Sequence, residues 1–223
     1  MVKKRYVRLK ELVPDSSEYV YPNKDYFLNR PNFLKNKAYY RVINNDGFMI
    51  SGFGYNSEKK IYLYGASSIE NYYVDCNSRI HVTLEELCLK NKYKYEVLNA
   101  GVSGSTLLNI FNSILNKRVK KQSKLIIFIP SNDYSALTLK DSYWNKHDYY
   151  SNIVPGEGKY FPKTSLDNNI EDIYFVLNLI KEYVGYYEID LFIFGVVFSG
   201  FNSKYNHLNL MIRDWCRENN IKY

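Results

Sequence analysis

The stretch Ile61-Tyr62-Leu63-Tyr64-Gly65-Ala66-Ser67-Ser68-Ile69 decides the fold. Ile61 to Tyr64 are apolar or aromatic and predict a short buried strand. Gly65-Ala66-Ser67 ends it, because small residues let the backbone turn sharply and leave a hydroxyl exposed at the strand's end. Ile80 to Leu89 then follow with helical spacing. Strand, small-residue turn with a serine, then helix is one way to present a nucleophile, since helix N-terminal N–H groups stabilise an anion there. By itself the stretch reads first as an ordinary βα turn, which is routine in α/β proteins.

The chain on either side supports an α/β reading. Downstream, a helix is expected over about 79–91, with Ile80, Leu84, Leu87 and Cys88 inward, and a second strand near Tyr95–Leu98. A second helix is expected over about 105–117, with Ser105 as N-cap and Leu107, Leu108, Phe111, Ile114 and Leu115 on one face. Leu125 to Ile129 is continuously apolar, as a central parallel strand covered on both faces should be. Residues 131–165 read as a long irregular stretch rich in Tyr and Phe, and such loops are usually functional. A helix over about 169–185, a strand from Leu191 to Phe198 and a helix over about 203–219 complete the pattern. Ile221-Lys222-Tyr223 look like the start of a fifth, truncated strand.

Strands alternating with helices imply a parallel sheet with right-handed crossovers. The expected architecture is therefore a three-layer α/β/α sandwich of about five strands over residues 58–223. Residues 1–57, punctuated by Pro14, Pro22 and Pro31, read as an extension lying against that domain. Within it Tyr39 to Ile43 can form a strand, closed by the turn signal Asn44-Asn45-Asp46-Gly47.

Composition narrows the function classes. At 223 residues the chain is long enough for a real core. No run approaches the roughly 18 apolar residues of a membrane span. The basic start is followed by no apolar stretch, so no secretory signal is expected. Three widely spaced cysteines imply neither a disulfide framework nor a metal site and fit a reducing, cytoplasmic setting. The net charge of +7 is spread along the chain, and without a recognition motif it predicts no nucleic-acid partner. No Gly-x-Gly-x-x-Gly follows the first strand, which argues against a dinucleotide cofactor. The 24 tyrosines supply flat amphipathic surfaces suited to sugars or protein partners.

In an open parallel sheet, ligands bind outside the carboxyl ends of the strands, near the point where strand order reverses. Three such ends carry suggestive residues: Ser67 after the first strand, Asn99-Ala100-Gly101-Val102-Ser103-Gly104 after the second, and Ser131-Asn132-Asp133 after the third. If the first strand lies between the other two, these loops converge. Ser67 could then attack an acyl carbonyl. Its own N–H, the N–H of Gly104 and the amide of Asn132 would surround the oxyanion.

Together these blocks resemble the SGNH (GDSL-like) hydrolase family, over roughly residues 40–223. Gly65-Ala66-Ser67-Ser68 is similar to the first block, with Ala66 in place of the usual aspartate. The Asn99–Gly104 segment is the closest match, and Ser131 replaces a common glycine in the third. Arg41 to Phe48 is similar to a segment in relatives encoded with surface-polysaccharide genes. The resemblance implies a flavodoxin-like sheet and a serine esterase acting on O-acetyl or other acyl esters of a carbohydrate, with no cofactor and no metal. Ser67, Gly104 and Asn132 would be the catalytic residues. The family's base is a histidine in a C-terminal Asp-x-x-His block, and none is present here. By alignment of elements that block would follow Tyr223. Of the three histidines, His147, in the aromatic loop, is the candidate surrogate base; His81 and His207 read as packing or surface residues. The missing block leaves a second expectation open, a catalytically inactive module that binds a glycan or a partner protein in polysaccharide assembly.

Overall fold

A computed structural model describes residues 4–21, 38–51, 57–117, 119–196 and 203–223. The strands are β1 (Tyr6–Val7), β2 (Ser16–Val20), β3 (Tyr39–Ile43), β4 (Lys60–Tyr64), β5 (Glu96–Asn99), β6 (Lys124–Phe128), β7 (Ile153–Val154) and β8 (Asp190–Phe194). The helices are α1 (Ser67–Glu70), α2 (Ile80–Lys90), α3 (Leu107–Lys117), α4 (Ser131–Leu137), α5 (Ile170–Tyr186) and α6 (Ser203–Glu218). Four strands form a parallel sheet in the order β5-β4-β6-β8. β4 lies between β5 and β6, with Leu63 opposite Asn99 on one side and Ile126 on the other. The chain therefore leaves β4 in one direction and returns on its other side. The carboxyl ends of β4 and β6 flank that reversal.

Period-two alternation splits the core into two faces. Tyr62, Tyr64, Leu98, Leu125, Ile127 and Ile193 pack under α3, α5 and α6. Ile61, Leu63 and Val97 face Ile69 of α1 and Ile80, Leu84 and Cys88 of α2. The result is the expected α/β/α sandwich. Lys222 forms a parallel bridge to Phe192 of β8, where a fifth strand would begin. In α5, Ile173, Val176, Leu177, Ile180 and Val184 are all buried, as their spacing predicts.

Several local expectations change. Leu87 and Leu115 point outward, 51% and 47% exposed, and Ile110 takes the buried position on α3. The covered faces are turned from the expected ones: on α2 the buried residues are His81, Val82 and Glu85, with Ile80, Leu84 and Cys88 partly buried, and on α3 Asn109 and Ser113 are buried beside Ile110 and Ile114. β8 ends at Phe194, ahead of the predicted Phe198, which lies outside the described residues. Residues 131–165 are not irregular throughout, because α4 opens them. Pro130 precedes that helix in extended conformation, a geometry its ring favours.

The N-terminal segments join the sandwich by pairing. β2 and β3 form an antiparallel hairpin. Met49 then bridges Ile43 to Asn99, extending the sheet beyond β5. β1 pairs with β7 of the aromatic loop, Tyr6 opposite Val154.

Candidate active site

Ser67 is the first residue of α1, directly beyond the buried end of β4. Residues 61–66 are all buried, while Ser67 and Ser68 are exposed. The serine is carried to the surface by the most buried strand, which gives it a rigid base. It opens onto a cleft of about 530 Å³, lined by Ser67, Glu70, Tyr72, Tyr73 and Ser103 among others. That volume lies within the range of small-ligand sites.

The loop after β5 is fastened to α1 at two points. Asn99, fully buried, donates its Nδ2 to the carbonyl of Ile69 at 2.7 Å and accepts the Gly101 N–H on Oδ1 at 2.8 Å. A Cβ on Gly101 would lie 2.5 Å from the Glu70 backbone nitrogen, so only glycine permits this approach. Further on, the Glu70 carboxylate accepts the Ser103 N–H at 2.7 Å and the Ser103 hydroxyl. Gly104 follows with φ +77, the left-handed region. Arg41 of β3 secures the carboxylate from behind at 3.0 Å, reaching also to Glu18, with its guanidinium 4.9 Å from the centre of the Tyr72 ring. The Arg41 and Glu70 side chains are only 11% and 6% exposed. In so dry a setting the pair holds only because further hydrogen bonds satisfy it.

The third loop joins the second through Asn132, whose Nδ2 donates to the Ser105 carbonyl at 3.0 Å. Asp133 is buried behind it. It accepts the Leu107 N–H at 2.9 Å and the Tyr143 hydroxyl, so it tethers the start of α3. Burial pushes its carboxyl up to about 7, against the hydrogen bonds from Tyr143 and Leu107 and the nearby charge of Lys10. The predicted N-cap Ser105 is displaced by one residue. Thr106 stands before α3, and its N–H and hydroxyl both donate to Asn109 Oδ1, at 3.1 and 3.0 Å.

Ser67, Gly104 and Asn132 thus belong to three loops bonded to one another at the reversal of the sheet. Among the described residues, neither the Ser67 nor the Gly104 backbone N–H donates to a hydrogen bond.

The histidines are placed apart from this group. His81 is fully buried, its Nδ1 3.2 Å from Asn99 Nδ2, and burial lowers its pKa to about 4. A neutral ring there braces Asn99. His207 pairs with Asp167 at 2.7 Å on the surface. His147 lies in the aromatic loop against Tyr150 and Phe161, ring centroids 4.9 and 5.9 Å away, and its Nδ1 accepts the Tyr149 N–H at 3.0 Å. Among the described residues, no imidazole or carboxylate is hydrogen-bonded to the Ser67 hydroxyl. No group of three or more His, Cys, Asp or Glu gathers to hold a metal ion there either.

No protein-family model and no curated protein matches the sequence. Solved structures do match. A serine-to-alanine variant and an aspartate-to-alanine variant of the esterase AlinE4 each superpose with a TM-score of 0.50. They share 16% and 14% identity, over 75% of this chain and 75% of theirs. The parent AlinE4, described as an SGNH-hydrolase family esterase, aligns with a TM-score of 0.49 at 16% identity over the same shares. The protein has the SGNH-hydrolase fold. At such identities the likeness is one of fold.

Four residues around Ser67 and Gly104 escaped the sequence reading: Arg41, Glu70, Lys10 and Tyr149. Glu70 had a signal, since it stands three residues after Ser67 and shares a helical face with it. Lys10 donates to the Gly104 carbonyl, and Tyr149 covers Gly104 from the aromatic loop; a Cβ on that glycine would meet the tyrosine Oη at 2.5 Å. Nothing local in the sequence marks either contact.

Proposed function

We propose that this protein is a serine-type hydrolase of acyl esters carried on a carbohydrate. The observation that supports the reading best is the exposed Ser67 on a cleft shared with Ser103, one residue before Gly104. In this reading the Ser67 Oγ attacks the ester carbonyl and its proton passes to a base. The carbonyl oxygen becomes an oxyanion, facing the N–H groups of Ser67 and Gly104 and the second amide hydrogen of Asn132. Collapse expels the sugar alkoxide, which takes a proton, and leaves an acyl-enzyme that water hydrolyses. Each oxyanion donor is worth about 3–4 kcal/mol in the transition state. The candidate base is His147, two residues before the tyrosine that covers Gly104; its Nδ1 accepts the Tyr149 N–H, so the neutral ring carries its proton on Nε2 and takes the serine proton only on Nδ1, once that contact opens. Tyr72, Tyr73 and Tyr149 offer ring faces for a sugar.

A second reading is a glycan- or partner-binding module without catalysis, in surface-polysaccharide assembly. The observation that favours it is the Ser67 hydroxyl without a hydrogen-bonded base. Hydrolysis of p-nitrophenyl acetate separates the two. Turnover that disappears in Ser67→Ala supports the hydrolase, and loss in His147→Ala supports that base. Absent turnover, or turnover that survives Ser67→Ala, removes the hydrolase reading.

A further inference from the structure

Two cations meet beside Gly104, the residue after Ser103 of the cleft wall, with no anion between them. Arg8 Nη1 and Lys10 Nζ both donate to the carbonyl oxygen of Tyr149, at 3.1 and 3.4 Å. Lys10 also donates to the Gly104 carbonyl, and its Nζ lies 5.0 Å from the centre of the Tyr149 ring. It stands 3.3 Å from where a Cβ of Gly104 would be, beside the backbone assigned to the oxyanion. Among the described residues no carboxylate lies within ion-pair distance of Lys10.

The neighbouring charges leave this pair uncompensated. Burial, together with the charge of Arg8, lowers the Lys10 pKa to about 8. Asp133 opposes that shift, but its own carboxyl is pushed up to about 7, so at neutral pH it carries only part of a charge. Glu70, in the cleft wall, is committed to Arg41 and Ser103. A protein gains nothing by holding two like charges together in a partly dry place, because each raises the cost of the other. The arrangement becomes favourable once an anion enters. The β1–β7 pairing already ties this segment to the aromatic loop, so tethering does not require the charges.

We propose that Arg8 and Lys10 form a subsite beside Gly104 for an anionic group on the sugar, a carboxylate or a phosphate. The inference rests on the carbohydrate reading above and narrows it to acidic sugars. A bound anion would accept from the one remaining Lys10 N–H and the Arg8 fork, while the sugar ring lies against Tyr149.

Binding tests this without reference to turnover. Galacturonic acid, galactose 6-phosphate and galactose are titrated into the protein at low salt and followed by NMR. One charged sugar, or both, should bind about ten-fold more tightly than galactose, and salt should erode the difference. The stronger of the two charged ligands identifies carboxylate or phosphate. Lys10→Gln, which keeps a hydrogen-bond donor, should remove the preference, and Lys10→Arg should retain it. Arg8→Gln should weaken it even if Lys10→Gln fails to fold. Equal binding of all three sugars, no binding of either charged sugar, or a preference that survives both neutral variants overturns the proposal. Ser67-dependent hydrolysis without an anion preference would remove the subsite and leave the esterase. An anion preference without hydrolysis would do the reverse.

Discussion

Replacing Glu70 by glutamine probes the clamp that holds the second loop against α1. The glutamine carbonyl can still accept the Ser103 N–H. Its amide nitrogen, however, then faces the Arg41 guanidinium, which lies 3.0 Å from Glu70 Oε1. Removing one partner of a buried ion pair costs roughly 3–5 kcal/mol. Arg41 keeps Glu18, whose side chain is 45% exposed, so a loss of about 2–3 kcal/mol is expected. For a chain of this size that is a fall in melting temperature of about 5–10 °C. A thermal melt of Glu70→Gln, Arg41→Met and the double variant measures the coupling, expected to exceed about 1 kcal/mol. If hydrolysis is present, kcat should fall about ten-fold or more with little change in KM, because the Gly104 N–H acts on the transition state. A melting temperature within 1 °C of wild type, with additive single variants, would refute the clamp.

Three further outcomes follow from the geometry. Gly104→Ala should lose about 1–2 kcal/mol from the left-handed φ alone, and more from the clash with Tyr149; in a Tyr149→Ala background only the clash should be relieved, as denaturant unfolding would show. Asp133 and His81 should tilt stability against pH in opposite senses. The carboxyl of Asp133, raised from about 4 to about 7, makes the fold lose up to about 4 kcal/mol as pH rises through that window, since the folded state holds the proton longer. The imidazole of His81, lowered from about 6.5 to about 4, makes it lose up to about 3 kcal/mol as pH falls, since the unfolded state binds the proton first. Asp133→Asn should therefore destabilise toward acid more steeply than wild type, and His81→Asn toward neutral pH; unchanged slopes in chemical denaturation would contradict both assignments.

Much of the fold was legible because its signals are local. The apolar run at β6 and the inward residues of α5 follow from periodicity over a dozen residues, and the structure agrees with both. Leu87 and Leu115 misled because periodicity reports which side of a helix is apolar but not which side packing covers, and here the covered faces include the polar His81, Glu85, Asn109 and Ser113. The start of α4 was missed because Pro130 and the polar run Ser131-Asn132-Asp133 carry ordinary turn chemistry. That the three loops meet was conditional on strand order, which crossover geometry restricts but does not choose.

The sequence by itself determined the alternation of strands and helices, the exposed serine after the first strand of the sandwich, and the glycines that let the second loop approach it. Each depends on neighbours in the chain, through backbone conformation and side-chain period. The tertiary structure alone decided what surrounds that serine. Arg41 reaches Glu70 across 29 positions, and Lys10 reaches Tyr149 across 139. It also decided that His81 is buried while His207 pairs at the surface. Charge pairing and burial act through space, and the hairpin and aromatic loop that bring these groups together are arranged by packing against the sheet, which no local pattern of residues encodes.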